Sequence, residues 1–163
     1  MIKVSGNKLS FKGKTYDCAV GKNGFAADKK EGDLCSPIGE FPLRKVLYRA
    51  DKIDKPETGL LIDAIQQDDG WCDAPNHLEY NQLVKLPFSA SHEKLWRDDN
   101  LYDVVVVIGY NDEPVERNKG SAIFMHIAKP EYTGTEGCIA LKKKDLLEIL
   151  ASVDSETKIS IRA

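Results

Sequence analysis

The run Val104-Val-Val-Val-Ile108 sets five β-branched apolar residues in succession, and a strand of that kind has no polar face to turn toward water. It predicts a central strand buried on both sides, within a sheet that must be covered above and below. With its flanks the strand is read over residues 102–110. Around it, period-two patterning and β-forming residues predict strands at 3–11, 15–20 and 39–48 and a closing strand at 158–162. The first eleven residues alternate polar and apolar side chains, as a first strand or hairpin does. Residues 142–153 read as a helix, because Leu146, Ile149, Leu150 and Val153 share one helical face. Residues 49–100 are rich in charge and proline and read as an irregular middle, with a strand at 80–86 and a short helix at 89–96. Substrate specificity is expected there.

At 163 residues the chain is one domain, 1–163, long enough to bury roughly 70% of its extended surface. No internal repeat, low-complexity tract or linker divides it. The pattern is mostly β with α, an α+β fold class. A net charge of −3 gives no field favouring phosphate backbones or anionic lipid, so neither nucleic acid nor membrane is expected as a partner. No stretch approaches the ~18 consecutive apolar residues of a membrane span. The N-terminus shows neither a long apolar h-region nor a cleavage site, and the expectation is a cytoplasmic protein.

The chemistry is concentrated in Phe124-Met-His-Ile-Ala-Lys-Pro-Glu-Tyr-Thr-Gly-Thr-Glu-Gly-Cys-Ile-Ala-Leu141. His126 lies on a predicted strand over 121–128, a rigid mount. Cys138 follows Gly137 on the approach to the helix. A thiolate attacks carbonyls, a histidine beside it can take its proton, and a glycine lets the backbone N–H groups approach a substrate. The alternative is a small buried hydrophobe, the commonest role of a free cysteine. The polar, flexible approach Thr135-Glu136-Gly137 suits packing poorly and catalysis well. Glu136 reads as an exposed loop carboxylate, and Lys142–Lys144 as a solvated face.

The four cysteines, Cys18, Cys35, Cys72 and Cys138, contain no Cys-x-x-Cys pair, and His77, His92 and His126 have no ligand spacing with them. Neither a metal nor a cofactor is expected. Cys18, Cys35 and Cys72 are read as packing residues. In the middle segment Arg97 and Trp71 are candidate substrate contacts, since a peptide ending in a free carboxylate needs a cationic or N–H anchor. An ion pair of Arg97 with Asp98, Asp99 or Asp103 is the competing explanation.

Thr135-Glu136-Gly137-Cys138, with His126 upstream, resembles the catalytic signature of the L,D-transpeptidase (YkuD-like) family. Ser36-Pro-Ile-Gly-Glu-Phe41 is similar to that family's Thr-Pro-x-Gly-x-Phe fragment, and Asp69-Gly-Trp-Cys-Asp73 through Tyr80-Asn81 resembles a small-protein branch of it. The resemblance implies a β-sandwich of mixed sheets with few helices and a site under a capping segment. It implies Cys138 as nucleophile, His126 as base, Gly137 in the oxyanion turn and Thr135 beside the substrate. Glu136 and Ala140 depart from the commonest pattern, so no substrate contact is carried over to them. The implied partners are peptidoglycan stem peptides or muropeptides. A cytoplasmic member would meet soluble tetrapeptides with water as acceptor, which points to an L,D-carboxypeptidase releasing D-alanine. The alternatives are an L,D-transpeptidase that forms crosslinks or exchanges D-amino acids and, in another class, a non-catalytic peptidoglycan-peptide binding domain.

Overall fold

The computed structural model describes residues 1–163. The N-terminal alternation folds as a hairpin of β1 (Ile2–Ser5) and β2 (Lys8–Phe11), continued by β3 (Lys14–Asp17). Two short strands follow, β4 (Phe25–Ala26) and β5 (Ser36–Pro37), then the ten-residue β6 (Gly39–Tyr48) and the short β7 (Ile62–Ala64). The middle of the chain contributes β8 (Asp69–Cys72), β9 (Leu83–Lys85) and β10 (His92–Lys94). Last come β11 (Val104–Ile108), β12 (Phe124–Ile127), β13 (Ile139–Leu141), the helix α1 (Lys143–Leu150) and β14 (Lys158–Arg162). No helix is long and apolar enough to cross a membrane.

The main sheet runs β13-β12-β11-β6-β14-β1-β2-β3, with β7 added to β6. It mixes parallel pairs, β12 with β13 and β1 with β14, and antiparallel ones. Just past β3, Ala19 bridges Ala140 of β13 through paired backbone bonds of 2.8 and 2.9 Å, which nearly closes the sheet on itself. This is the mostly β, YkuD-like sandwich with one short C-terminal helix that the resemblance implied.

Strand β11 is buried along its whole length, as its five β-branched residues require. Its side chains alternate between two cores. Val104, Val106 and Ile108 enter the larger one with Leu146, Ile149 and Leu150 of α1, while Val105 and Val107 face a smaller one with Leu95, Tyr102 and Phe124. The helical stripe is therefore placed as its spacing predicts, and Lys142–Lys144 are exposed.

The middle segment departs from expectation. Residues 69–94 hold a three-stranded sheet, β10-β8-β9, that covers the smaller core. The helix expected over 89–96 is instead β10 with bends on either side: His92, Glu93 and Lys94 pair with Cys72, Trp71 and Gly70. The open side of β8 offers a ladder that about two turns of helix, held by local bonds alone, cannot outweigh. The expected strand over 80–86 shortens to β9.

Candidate active site

On β12 the side chains alternate as on β11. Met125 and Ile127 enter the large core, so Phe124 and His126 point to the opposite face. On β13, Ile139 and Leu141 enter the same large core, which sends Cys138 and Ala140 to the other side. Because β12 and β13 pair in parallel, with Met125 beside Ile139 and His126 beside Ala140, Cys138 and His126 come to one face of adjacent strands. Both line a cleft of ≈ 520 Å³, and each is 7% exposed. Its walls are the segment between β4 and β5, the loop that leads to Cys138, and the β10 region with Glu93, Arg97 and Tyr102.

His126 Nδ1 lies 2.9 Å from the carbonyl oxygen of Ile127. A carbonyl only accepts, so Nδ1 carries the proton and Nε2 keeps its lone pair. The ring packs edge-on against Tyr102, 5.3 Å between centroids. Burial pushes His126 down to about 4, and burial pushes the Cys138 thiol up to about 12, with nearby Glu93 adding to the rise. At neutral pH the resting pair is therefore a thiol and a neutral imidazole. The thiol donates to the Ala122 carbonyl at 3.2 Å and accepts from the Phe124 N–H at 3.4 Å; it makes no hydrogen bond to His126.

The loop bearing Cys138 is braced from inside and outside. Thr135 Oγ1 donates to the Cys138 carbonyl at 2.6 Å and accepts from the Gly137 N–H at 3.0 Å. Ser36 Oγ, wholly buried, donates to the Gly137 carbonyl at 2.7 Å and accepts from the Gly21 N–H at 2.9 Å. Gly137 has φ +142, and a Cβ there would lie 2.8 Å from the Cys35 carbonyl oxygen, so the turn requires glycine. With the Gly137 N–H engaged by Thr135, the Cys138 N–H is the one in this turn left without a partner. Of the Gly137–Cys138 turn that the resemblance implies as the oxyanion site, the Gly137 N–H is taken and the Cys138 N–H is free in the resting site.

A second brace comes from the middle segment. Asn81 Oδ1 accepts from Trp71 Nε1 and from the Ala122 N–H, both at 2.9 Å, while its amide donates to the carbonyls of Tyr110 and Asn111. Ala122 is held at φ +53, uncommon for a residue with a Cβ, and its carbonyl is the one that receives the Cys138 thiol. Tyr80 works alongside: its hydroxyl accepts from the Gly120 N–H at 2.9 Å and donates to Glu31 at 2.7 Å.

Of the site residues expected from the sequence, Cys138, His126, Thr135 and Arg97 line the cleft. Trp71 does not. Its ring stands edge-on to Phe124, 5.0 Å between centroids, and its N–H is bound to Asn81, so it supports the floor of the cleft. Arg97 reaches the cleft already paired with Asp99 through bonds of 2.9 and 2.6 Å, and lies over Tyr102. The sequence reading missed Glu93, Asn81 as a brace, and Lys129, which stands exposed at the rim with no carboxylate partner. Asn81 was within reach, because it lies in a fragment that resembles a family branch. Glu93 was hidden by the helix expected over its segment. Cys72 is fully buried in β8, as a packing residue is, and Cys35 is half-buried.

A thiol and a neutral imidazole that line one cleft, on a nearly closed mixed sheet, have the parts of a cysteine-nucleophile acyl-transfer domain. The chain belongs to the YkuD family, the L,D-transpeptidase catalytic domain, which it matches over residues 4–161. That family uses a cysteine nucleophile on peptidoglycan peptides. No curated protein and no solved structure matches the chain.

Proposed function

We propose that the protein is an L,D-carboxypeptidase that removes the terminal D-alanine from peptidoglycan tetrapeptides through a thioester on Cys138. The observation that carries the reading is the tautomer of His126: Nδ1–H is held by the Ile127 carbonyl, which leaves Nε2 as the free acceptor of a ring that lines the same cleft as the thiol. Substrate arrival displaces water, the thiol leaves the Ala122 carbonyl, and Nε2 takes its proton as Sγ bonds to the peptide carbonyl carbon. The Cys138 N–H, without a partner at rest, is the donor available to the oxyanion. Collapse breaks the C–N bond, and the imidazolium gives its proton to the departing D-alanine amine. Water, deprotonated by the same Nε2, then attacks the thioester and frees the tripeptide and the thiol.

Lys129, unpaired at the rim, and Arg97, shared with Asp99, are the cleft cations suited to the substrate's terminal carboxylate. Thr135 serves this reaction by bracing the turn rather than by touching substrate. No cofactor enters the scheme. A cytoplasmic site of action is part of the proposal, because soluble tetrapeptides and water are the reactants there, and cell fractionation tests it.

Transpeptidation is the second reading, favoured by the family itself, since an amine in place of water resolves the same thioester. Incubating the protein with a tetrapeptide, with and without a free D-amino acid, separates the two by mass. Tripeptide and D-alanine without an exchange product support the carboxypeptidase; an exchanged tetrapeptide supports the transpeptidase. Tetrapeptide binding without any turnover, in wild type and Cys138→Ala alike, would leave a peptide-binding domain.

A further inference from the structure

The cleft has an imbalance that the reaction alone does not explain. Four carboxyl groups, Glu31, Asp73, Glu93 and Glu136, line it, and none is in an ion pair. Two of its three cations are already bound to carboxylates, Lys29 to Asp33 and Arg97 to Asp99. Glu31 and Asp73 are held by neutral donors, Tyr80 and Ser121 on the first and Ser91 on the second. Glu136 is exposed at the mouth.

Glu93 differs from the others. It is half-buried on β10, where pairing with Trp71 of β8 fixes its backbone, and its one hydrogen-bond partner is the Tyr102 hydroxyl. Burial pushes its carboxyl up to about 7 against the opposing effects of that bond and of the nearby Arg97, whose guanidinium is bound to Asp99 and forms no ion pair with Glu93. Tyr102 in turn packs on His126, so Glu93 is mounted on the wall that supports the base. His126 lines the same space, with Nδ1 bound to the Ile127 carbonyl and Nε2 left free.

We propose that Glu93 is a specificity-determining residue, which receives an ammonium group carried by the acyl-donor peptide close to the carbonyl that Cys138 attacks. The inference rests on the function proposed above. In that setting the ammonium is the side-chain amine of the diamino acid preceding D-alanine. Binding it supplies the missing counter-charge beside the thiol, so the cation that confers recognition also relieves the influence of Glu93 that opposes thiolate formation.

The test compares two tetrapeptides that are identical except that in the second the side-chain ammonium is replaced by hydrogen. Wild type is expected to favour the ammonium peptide by about 10- to 100-fold in kcat/KM, the range for a desolvated hydrogen bond to a charged group. In Glu93→Gln that ratio falls toward one. A wild type with no preference overturns the proposal, and needs no variant to fold. A ratio that persists in Glu93→Gln, with kcat lowered equally for both peptides, overturns it as well and leaves Glu93 a support for Tyr102.

Titrating Cys138→Ala with the same peptides reads the preference as a ratio of Kd without turnover. A preserved ratio with no D-alanine released by wild type sinks the carboxypeptidase reading and leaves this inference standing. Equal Kd values with turnover intact do the reverse.

Discussion

Ser36 Oγ donates to the Gly137 carbonyl at 2.7 Å across a sequence separation of 101 residues. The two fragments that resemble the family's signature, one near the N-terminus and one around the cysteine, are therefore one structural unit. The early fragment opens with the short strand β5, whose serine hydroxyl holds the peptide just before Cys138.

Ser36→Ala strips both the Gly21 N–H and the Gly137 carbonyl of their buried partner. The expected cost is about 1–3 kcal/mol in urea unfolding. With the turn less fixed, kcat should fall by about 10-fold or more, because small displacements of a nucleophile are costly. Unchanged kcat in a less stable variant would show that the bond serves folding alone.

Gly137→Ala is expected to be worse than Ser36→Ala. It adds a methyl 2.8 Å from the Cys35 carbonyl oxygen at a φ of +142. Backbone strain and overlap together should cost about 3 kcal/mol or more. Equal melting of the two variants would contradict the geometry.

Asn81→Ala removes the acceptor shared by Trp71 and Ala122, along with two donors to the loop at Tyr110 and Asn111. The variant should lose about 2–4 kcal/mol, as expected for a broken buried network. The released Ala122 carbonyl no longer holds the thiol, so alkylation of Cys138 should speed up relative to wild type. An alkylation rate equal to that of wild type would separate Asn81 from the site.

At neutral pH iodoacetamide should label Cys35 well before Cys138. The first is half-buried, while the second is 7% exposed and its thiol is pushed up to about 12. Peptide mass mapping over time gives the order. Labelling of Cys138 as fast as Cys35 would mean a thiolate–imidazolium pair at rest, contrary to the neutral pair described here.

Stability against pH offers a further test, because two cleft groups act in opposite directions. His126 has a folded value of about 4 against 6.5 unfolded, so between these values the unfolded chain alone holds the proton and stability drops as pH falls. Glu93 has a folded value of about 7 against 4.5 unfolded, so the folded chain alone holds the proton in that window and stability increases as pH falls. From 4.5 to 6.5 the two largely cancel. Relative to wild type, Glu93→Gln should lose stability by ~1.4 kcal/mol per pH unit on acidification through that window, and His126→Gln should gain it at a similar rate. Parallel urea midpoints for all three proteins across the window would rule out these environments.

Much of the fold is written in short stretches. The five β-branched residues from Val104 to Ile108 form a covered strand and Leu146, Ile149 and Leu150 bury one helical face, as read, although the helix ends at Leu150 and Val153 joins the core from beyond it. Cys138 and His126 were legible as candidates from residue type, the glycine before Cys138 and the family resemblance, and the structure brings both to one cleft.

Tertiary structure alone decided what surrounds that pair. Residues 92–94 became a strand because β8 lay open beside them, and that turn of events brought Glu93 to the cleft and took Trp71 beneath it. Local propensity depends on a residue and its near neighbours, whereas the side a loop residue faces depends on bonds to partners tens of residues away. Ser36 with Gly137 and Asn81 with Ala122 are such bonds, and no spacing along the chain encodes them.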